Sequence, residues 1–303
     1  MAGKLTERFA RKRPLILDGA MGTELQRRGI DTGLPLWSAR ALETAPDTIL
    51  AIHQEYIEAG ADIITTNTFR TTRRTFIRAK LPDRSSQLTS EAVALATEAR
   101  ERSGHADVLI AGSMAPLEDC YRPDLVPPDA ELREEHRELA SRLARAGVDL
   151  ILLETMGTIR EALAACEAAV NTGKETVVSF TLDPKGNLLG GESLSDAVRT
   201  LERLSPAAFS LNCVAPRGLK EPVTTLRSLT KLPIFVYGNI GREEGDRHGW
   251  EFIRDIDEKA YASFAAEWIT EGAAVVGGCC GTTPEYIRIL KDNLPQRHED
   301  LTR

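Results

Sequence analysis

A chain of 303 residues, 42% hydrophobic and 27% charged, has the composition of an ordinary globular protein and the length for one large core. Its formal net charge of -7 argues against nucleic acid, whose phosphates select basic surfaces, and no apolar run nears the roughly 18 residues of a membrane span. Five cysteines, an odd number, and no apolar segment behind the basic N-terminus argue against secretion and for free or metal-bound thiols in the reducing cytoplasm.

Residues 1–13 read as a short helical extension, with Leu5 and Phe9 spaced for one face. A β-rich apolar run follows over 15–18, and from there strands alternate with amphipathic helices along the chain. Further strands are expected over 62–67, 108–114, 150–154, 176–183, 208–213, 233–239 and 273–279. Helices are expected over 46–59, 86–102, 132–146, 159–171, 195–204, 221–229, 259–270 and 284–290, with a tail over 291–303. Ala59-Gly60, Ala146-Gly147 and Glu271-Gly272 mark helix ends, because glycine accepts the left-handed conformation found there. Eight strand-helix units without a linker or a composition shift predict one domain, an α/β fold closed as a single (β/α)8 TIM barrel. A doubly wound open sheet is the structural competitor. Two connections, 115–129 and 240–257, exceed the roughly two to six residues usual in such units. Both follow a strand, which sets them over the face where barrels keep their active sites.

That face is built from the C-terminal strand ends, and these are polar: Asp18, Asn67, Glu154, Cys213, Asn239 and the pair Cys279-Cys280. Strand ends meet water, so an isolated acid or amide there needs no function. The cysteines differ. Gly277-Gly278-Cys279-Cys280-Gly281-Thr282-Thr283-Pro284 puts adjacent thiols among glycines that allow close approach, a poor packing element and a good metal claw. Cys213 ends another apolar run, whereas Cys166 lies on an alanine-rich helix face and reads as a small buried hydrophobe. Cys120 sits in the 115–129 loop with nothing nearby to activate it. No CxxC or HxxxH pair is present, so a zinc finger is excluded and any ligand set must be assembled by the fold. Cys213, Cys279 and Cys280 on Zn2+ leave an open fourth position, the mark of a catalytic rather than a structural site. The chemistry implied is activation of a thiol substrate, because such a metal deprotonates a coordinating thiol outright. Asp18-Gly19-Ala20-Met21-Gly22 follows a strand but lacks the lysine of a P-loop and the third glycine of a dinucleotide fingerprint, which argues against phosphate. Thr283-Pro284 reads as a helix start, with Thr283 as the cap.

Together, Leu17-Asp18-Gly19-Ala20-Met21-Gly22-Thr23-Glu24-Leu25, Ile64-Thr65-Thr66-Asn67-Thr68-Phe69, Leu153-Glu154-Thr155, Leu211-Asn212-Cys213 and the paired-cysteine segment resemble the homocysteine S-methyltransferase family. The resemblance runs from about Leu15 to Leu290. The family includes betaine-homocysteine and S-methylmethionine-homocysteine methyltransferases and the homocysteine module of cobalamin-dependent methionine synthase, all zinc-dependent (β/α)8 barrels. It implies an enzyme of methionine biosynthesis in which Cys213, Cys279 and Cys280 bind zinc and homocysteine sulfur takes the fourth site. It also implies that the backbone amides of Asp18 and Gly19 hold the substrate carboxylate and that Glu154 accepts the ammonium. Thr66, Asn67 and Asn212 match polar pocket positions.

Homocysteine methylation needs an activated methyl group on a cation or a corrinoid. Trp37 matches an aromatic position of the family near the donor, and an aromatic face suits an onium group. The chain lacks the length for the folate, corrinoid and reactivation modules of the large methionine synthase, and the C-terminal extension of betaine-dependent dimers. By elimination the expected donor is S-methylmethionine or S-adenosylmethionine. Gly281 stands where many S-methylmethionine enzymes carry arginine, and Gly238-Asn239-Ile240-Gly241 replaces a common Asn-Ser-Gly. Betaine or another methylammonium, or a corrinoid protein supplied in trans, therefore stays open, as does a non-catalytic thiol- or zinc-binding protein.

Overall fold

The computed structural model describes residues 3–10, 13–243, 250–252 and 256–294. Its strands are β1 (Leu15–Ile16), β2 (Ile63–Thr65), β3 (Leu109–Met114), β4 (Leu150–Met156), β5 (Glu175–Phe180), β6 (Ala208–Asn212), β7 (Ile234–Gly238), β8 (Gly241–Glu243), β9 (Trp250–Phe252) and β10 (Val275–Gly278). Eight of them form a parallel sheet in the order β1, β10, β7, β6, β5, β4, β3, β2, and a bridge from Leu17 to Ile63 brings its two ends together as a barrel. Helices such as Pro46–Ala59, Arg84–Arg102, Asp129–Ala146 and Glu258–Thr270 fill the crossovers. This is the expected (β/α)8 architecture, and the open doubly wound sheet is set aside.

Both faces of the sheet are buried, which is why the strands read as continuous apolar runs. Alternation survives inside those runs. Leu15 and Leu17, like Leu150 and Leu152, pack in the barrel interior, whereas Ile16, Ile151 and Leu153 face the helices. The helix Lys4–Phe9 closes the N-terminal end of the barrel: Leu5 is fully buried in the interior cluster and Phe9 meets Phe235 edge-on, ring centroids 6.3 Å apart. Its first free amides are satisfied by Glu175 at the start of β5, whose carboxylate accepts from Leu5 N (2.7 Å) and Thr6 N (2.9 Å).

The expected helix stops hold, with Gly60 and Gly147 at φ 106° and 98°. Differences lie in the connections. The 240–257 segment is not simply a loop, since β8 and β9 form an antiparallel pair; Glu244, Asp246, Arg247 and His248 lie outside the described residues, as do 295–303 of the expected tail. Helix Arg73–Arg78 and the 3-10 turn Trp37–Arg40 also had no apolar periodicity to reveal them. No described helix is long and apolar enough to cross a membrane.

Candidate metal centre and substrate pocket

Two strand ends deliver the cysteines. β6 stops at Asn212, and Cys213 turns away at φ 56°, its amide donating to Tyr237 O (3.3 Å). β10 stops at Gly278, and Cys279 N donates to Gly238 O (2.9 Å), so both ends are tied to the intervening β7. The buried Tyr261 hydroxyl staples the same junction: it accepts from Gly238 N (2.9 Å) and donates to Gly277 O (2.7 Å). Gly277 is needed there because a Cβ would lie 2.6 Å from Leu17 Cβ and 2.8 Å from Leu17 O. As a result the sulfur atoms of Cys213, Cys279 and Cys280 lie within 4.8 Å of one another.

Three sulfur donors converging at the mouth of a barrel pocket fit a soft metal ion with room for a further ligand. The structure modifies the expectation in one respect: Cys213 and Cys279 are paired as a disulfide, Cα atoms 5.8 Å apart, with Cys280 outside the pair. Metal ligation requires thiolates, so this arrangement must be reduced before all three can bind. Cys166 is fully buried, and burial pushes its thiol up to about 12, consistent with a packing role. Cys120, in contrast, lines the pocket.

Beside the cysteines stand two carboxyl groups. Glu154 Oε1 accepts from Tyr237 OH (3.2 Å), and Oε2 accepts from Ser113 Oγ. Burial raises its pKa against the opposing pull of these bonds. The following residue, Thr155, takes φ 60°, and the β4–β5 register shifts between Leu153 and Met156. Asn212 holds this bulge. Its Oδ1 accepts from Thr155 N (3.0 Å) and Ser179 Oγ (2.7 Å), and its Nδ2 donates to Thr155 Oγ1 (3.0 Å). Asn212 lines the pocket as expected, but these bonds make it a brace for the Glu154 segment.

Asp18 requires a correction. Its backbone amide was expected to meet a substrate carboxylate, yet it donates to Ile63 O (2.9 Å) as part of barrel closure. What Asp18 brings is its carboxyl, which accepts from Thr65 N (2.7 Å) and Thr65 Oγ1 (2.6 Å). Burial, with a contribution from the Glu154 charge, pushes it up to about 8 despite those bonds. Gly19 also lines the pocket, and no protein acceptor among the described residues takes its amide.

Thr66 is internally satisfied, pairing with Thr68 Oγ1 (2.8 Å) and accepting from Ser113 N (3.2 Å). Asn67 donates Nδ2 to Ser38 O (2.9 Å), which anchors the turn carrying Trp37, while its buried Oδ1 has no partner among the described residues. Trp37, half-buried at φ 51°, lines the pocket with Phe69. Thr283 precedes the helix Pro284–Asn293 but makes no side-chain cap; its neighbour Thr282 instead donates to Cys279 O (2.8 Å). Ser113, Arg70 and Asp119 were not anticipated, because only the barrel's closure brings their strands and loops around one pocket.

Comparison with known proteins agrees with this geometry. A family described as homocysteine S-methyltransferase matches residues 15–294. Homocysteine S-methyltransferase 3 of Zea mays is 32% identical over 305 residues, covering 93% of this chain and 90% of its own. Selenocysteine Se-methyltransferase of Brassica oleracea var. italica is 31% identical over 309 residues, covering 93% and 89%. Among solved structures, the metallated form of the homocysteine methyltransferase MmuM from Escherichia coli is similar at a TM-score of 0.84 and 31% identity, covering 96% of this chain and 99% of that one. Its oxidized form gives a TM-score of 0.85.

Proposed function

This chain belongs to the homocysteine S-methyltransferase family, and from that membership we propose that it methylates the thiol of homocysteine to give methionine, with S-methylmethionine or S-adenosylmethionine as donor. The observation that carries the reading is the convergence of three cysteine sulfurs within 4.8 Å in a pocket that also holds the carboxyl groups of Asp18 and Glu154. Thiol activation and ammonium recognition thus stand side by side.

Cys213, Cys279 and Cys280 would hold Zn2+, which when bound keeps a thiol ionised at neutral pH, where a free thiol of pKa about 8.5 is mostly protonated. The cytoplasm, a reducing compartment, would supply those cysteines as thiols. Glu154 would accept the homocysteine ammonium, its orientation fixed by Ser113 and Tyr237. The Gly19 amide would meet the substrate carboxylate. Trp37 and Phe69 would present aromatic faces to an onium donor. In the reaction the homocysteine sulfur attacks the donor methyl carbon. A new S–CH3 bond forms, the donor S–CH3 bond breaks with its electron pair staying on the donor sulfur, and the thiol proton is released. We take the barrel as one homocysteine-binding domain.

The test is to incubate reduced, zinc-loaded protein with homocysteine and methyl-labelled S-methylmethionine, S-adenosylmethionine, betaine or a methylated corrinoid protein. Labelled methionine from a sulfonium donor is expected. Label from the corrinoid protein alone would overturn the donor assignment, and no label from any donor would overturn the enzymatic reading.

A further inference from the structure

Four arginines fall between 70 and 78, and three of them are paired with acids. Arg73 meets Glu134 (3.0 Å), Arg74 meets Glu118 (2.6 Å), Glu131 (2.8 Å) and Glu135 (2.7 Å), and Arg78 shares Glu118. Arg70 differs. Its Nη1 donates to the backbone carbonyl of Glu118 (3.1 Å) and its guanidinium lies 5.8 Å from the centre of the Phe69 ring, but no carboxylate among the described residues reaches it. It is also the one basic side chain lining the pocket among the described residues. A guanidinium carries five N–H donors in a fixed fork suited to a carboxylate, so most of this fork is unspent.

Its support is rigid. The Glu118 side chain is clamped between Arg74 and Arg78, which fixes the backbone carbonyl that positions Arg70. The deep end of the pocket already offers its own groups to an amino acid: the Gly19 amide, Asp18 and Glu154. Arg70 stands instead beside Phe69, next to the loop bearing the exposed Asp119 and Tyr121. Building on the proposed methyl transfer, we infer that Arg70 binds the carboxylate of the methyl donor, so that the enzyme selects onium compounds bearing a carboxylate. The aromatic faces read the methylated cation, and Arg70 reads the other end of the molecule.

The experiment compares wild type with Arg70→Met, which keeps length without charge or donors, and Arg70→Lys. For each protein, calorimetry measures binding of S-methylmethionine without homocysteine and of homocysteine without donor; turnover is measured with S-methylmethionine and with its carboxamide. Arg70→Met should weaken donor binding roughly ten- to hundredfold, as expected for hydrogen bonds to a charged group, and leave homocysteine binding within about twofold. Wild type should prefer the carboxylate donor over the carboxamide, and Arg70→Met should lose that preference; Arg70→Lys should recover part of it. Weaker homocysteine binding with donor binding intact would assign Arg70 to the acceptor and overturn the inference, as would equal losses of both or unchanged binding of both. Absence of wild-type turnover with any onium donor would instead bring down the donor reading, and this inference with it.

Discussion

At the level of single residues, the cysteines were legible because chemistry and sequence position coincide: adjacent thiols among glycines have no competing packing explanation. Replacing Cys213, Cys279 or Cys280 singly by serine should strip tightly bound zinc and abolish methyl transfer, whereas Cys166→Ser, at a fully buried packing position, should retain metal and activity. Metal analysis of each purified variant, beside a turnover assay, checks this. The Asp18 carboxyl was legible as a polar strand end, but its protonation was not, because the burial that sets it comes from the closed barrel. Its pKa rises from the ordinary 3.8 to about 8, so between those values the folded protein binds a proton that the unfolded chain has released. Stability should therefore be fully present below the lower value and fall as pH rises toward the upper one. Denaturant unfolding at pH 5 and pH 8 should show a smaller drop for Asp18→Asn than for wild type. An equal drop in both would place the pH dependence elsewhere.

Among elements, the eight barrel strands stand out in the sequence because both their faces are buried, leaving long apolar runs between polar turns. Their C-terminal limits were less legible. The expected 62–67 shrinks to Ile63–Thr65 and 208–213 to Ala208–Asn212, since Asn67 and Cys213 leave the sheet to line the pocket. The bulge in β4 was hidden for a related reason: Thr155 is held at φ 60° by Asn212, a partner 57 residues away that no local pattern reveals. Asn212→Ala should leave the Thr155 amide and the Ser179 hydroxyl without their acceptor, at a cost of roughly 1–3 kcal/mol in stability. Because the brace supports the Glu154 segment, the Michaelis constant for homocysteine should rise while that for the donor stays nearly constant. Parallel changes in both constants would show that Asn212 serves the whole pocket.

For the whole molecule, eight repeating units identified the barrel, but not how its two ends are closed. The seam between β1 and β2 uses the Leu17–Ile63 bridge and the Asp18 amide, so one strand end serves both closure and the pocket. At the opposite end, the helix Lys4–Phe9 acts as a plug, with Leu5 fully buried among the interior residues. Leu5→Ala should cost about 2–5 kcal/mol. It lies far from the cysteine face, so zinc content and the homocysteine Michaelis constant of the folded fraction should not change; thermal unfolding and steady-state kinetics on one preparation separate the two effects.

The central claim is that the three cysteines form an incomplete ligand set completed by the substrate sulfur. The most direct test is zinc K-edge X-ray absorption of the reduced, zinc-loaded protein with and without homocysteine. Three sulfur ligands and one lighter atom are expected in the free enzyme, and four sulfur ligands once homocysteine is added. A coordination sphere that homocysteine leaves unchanged, or one with fewer than three protein sulfurs, would contradict it.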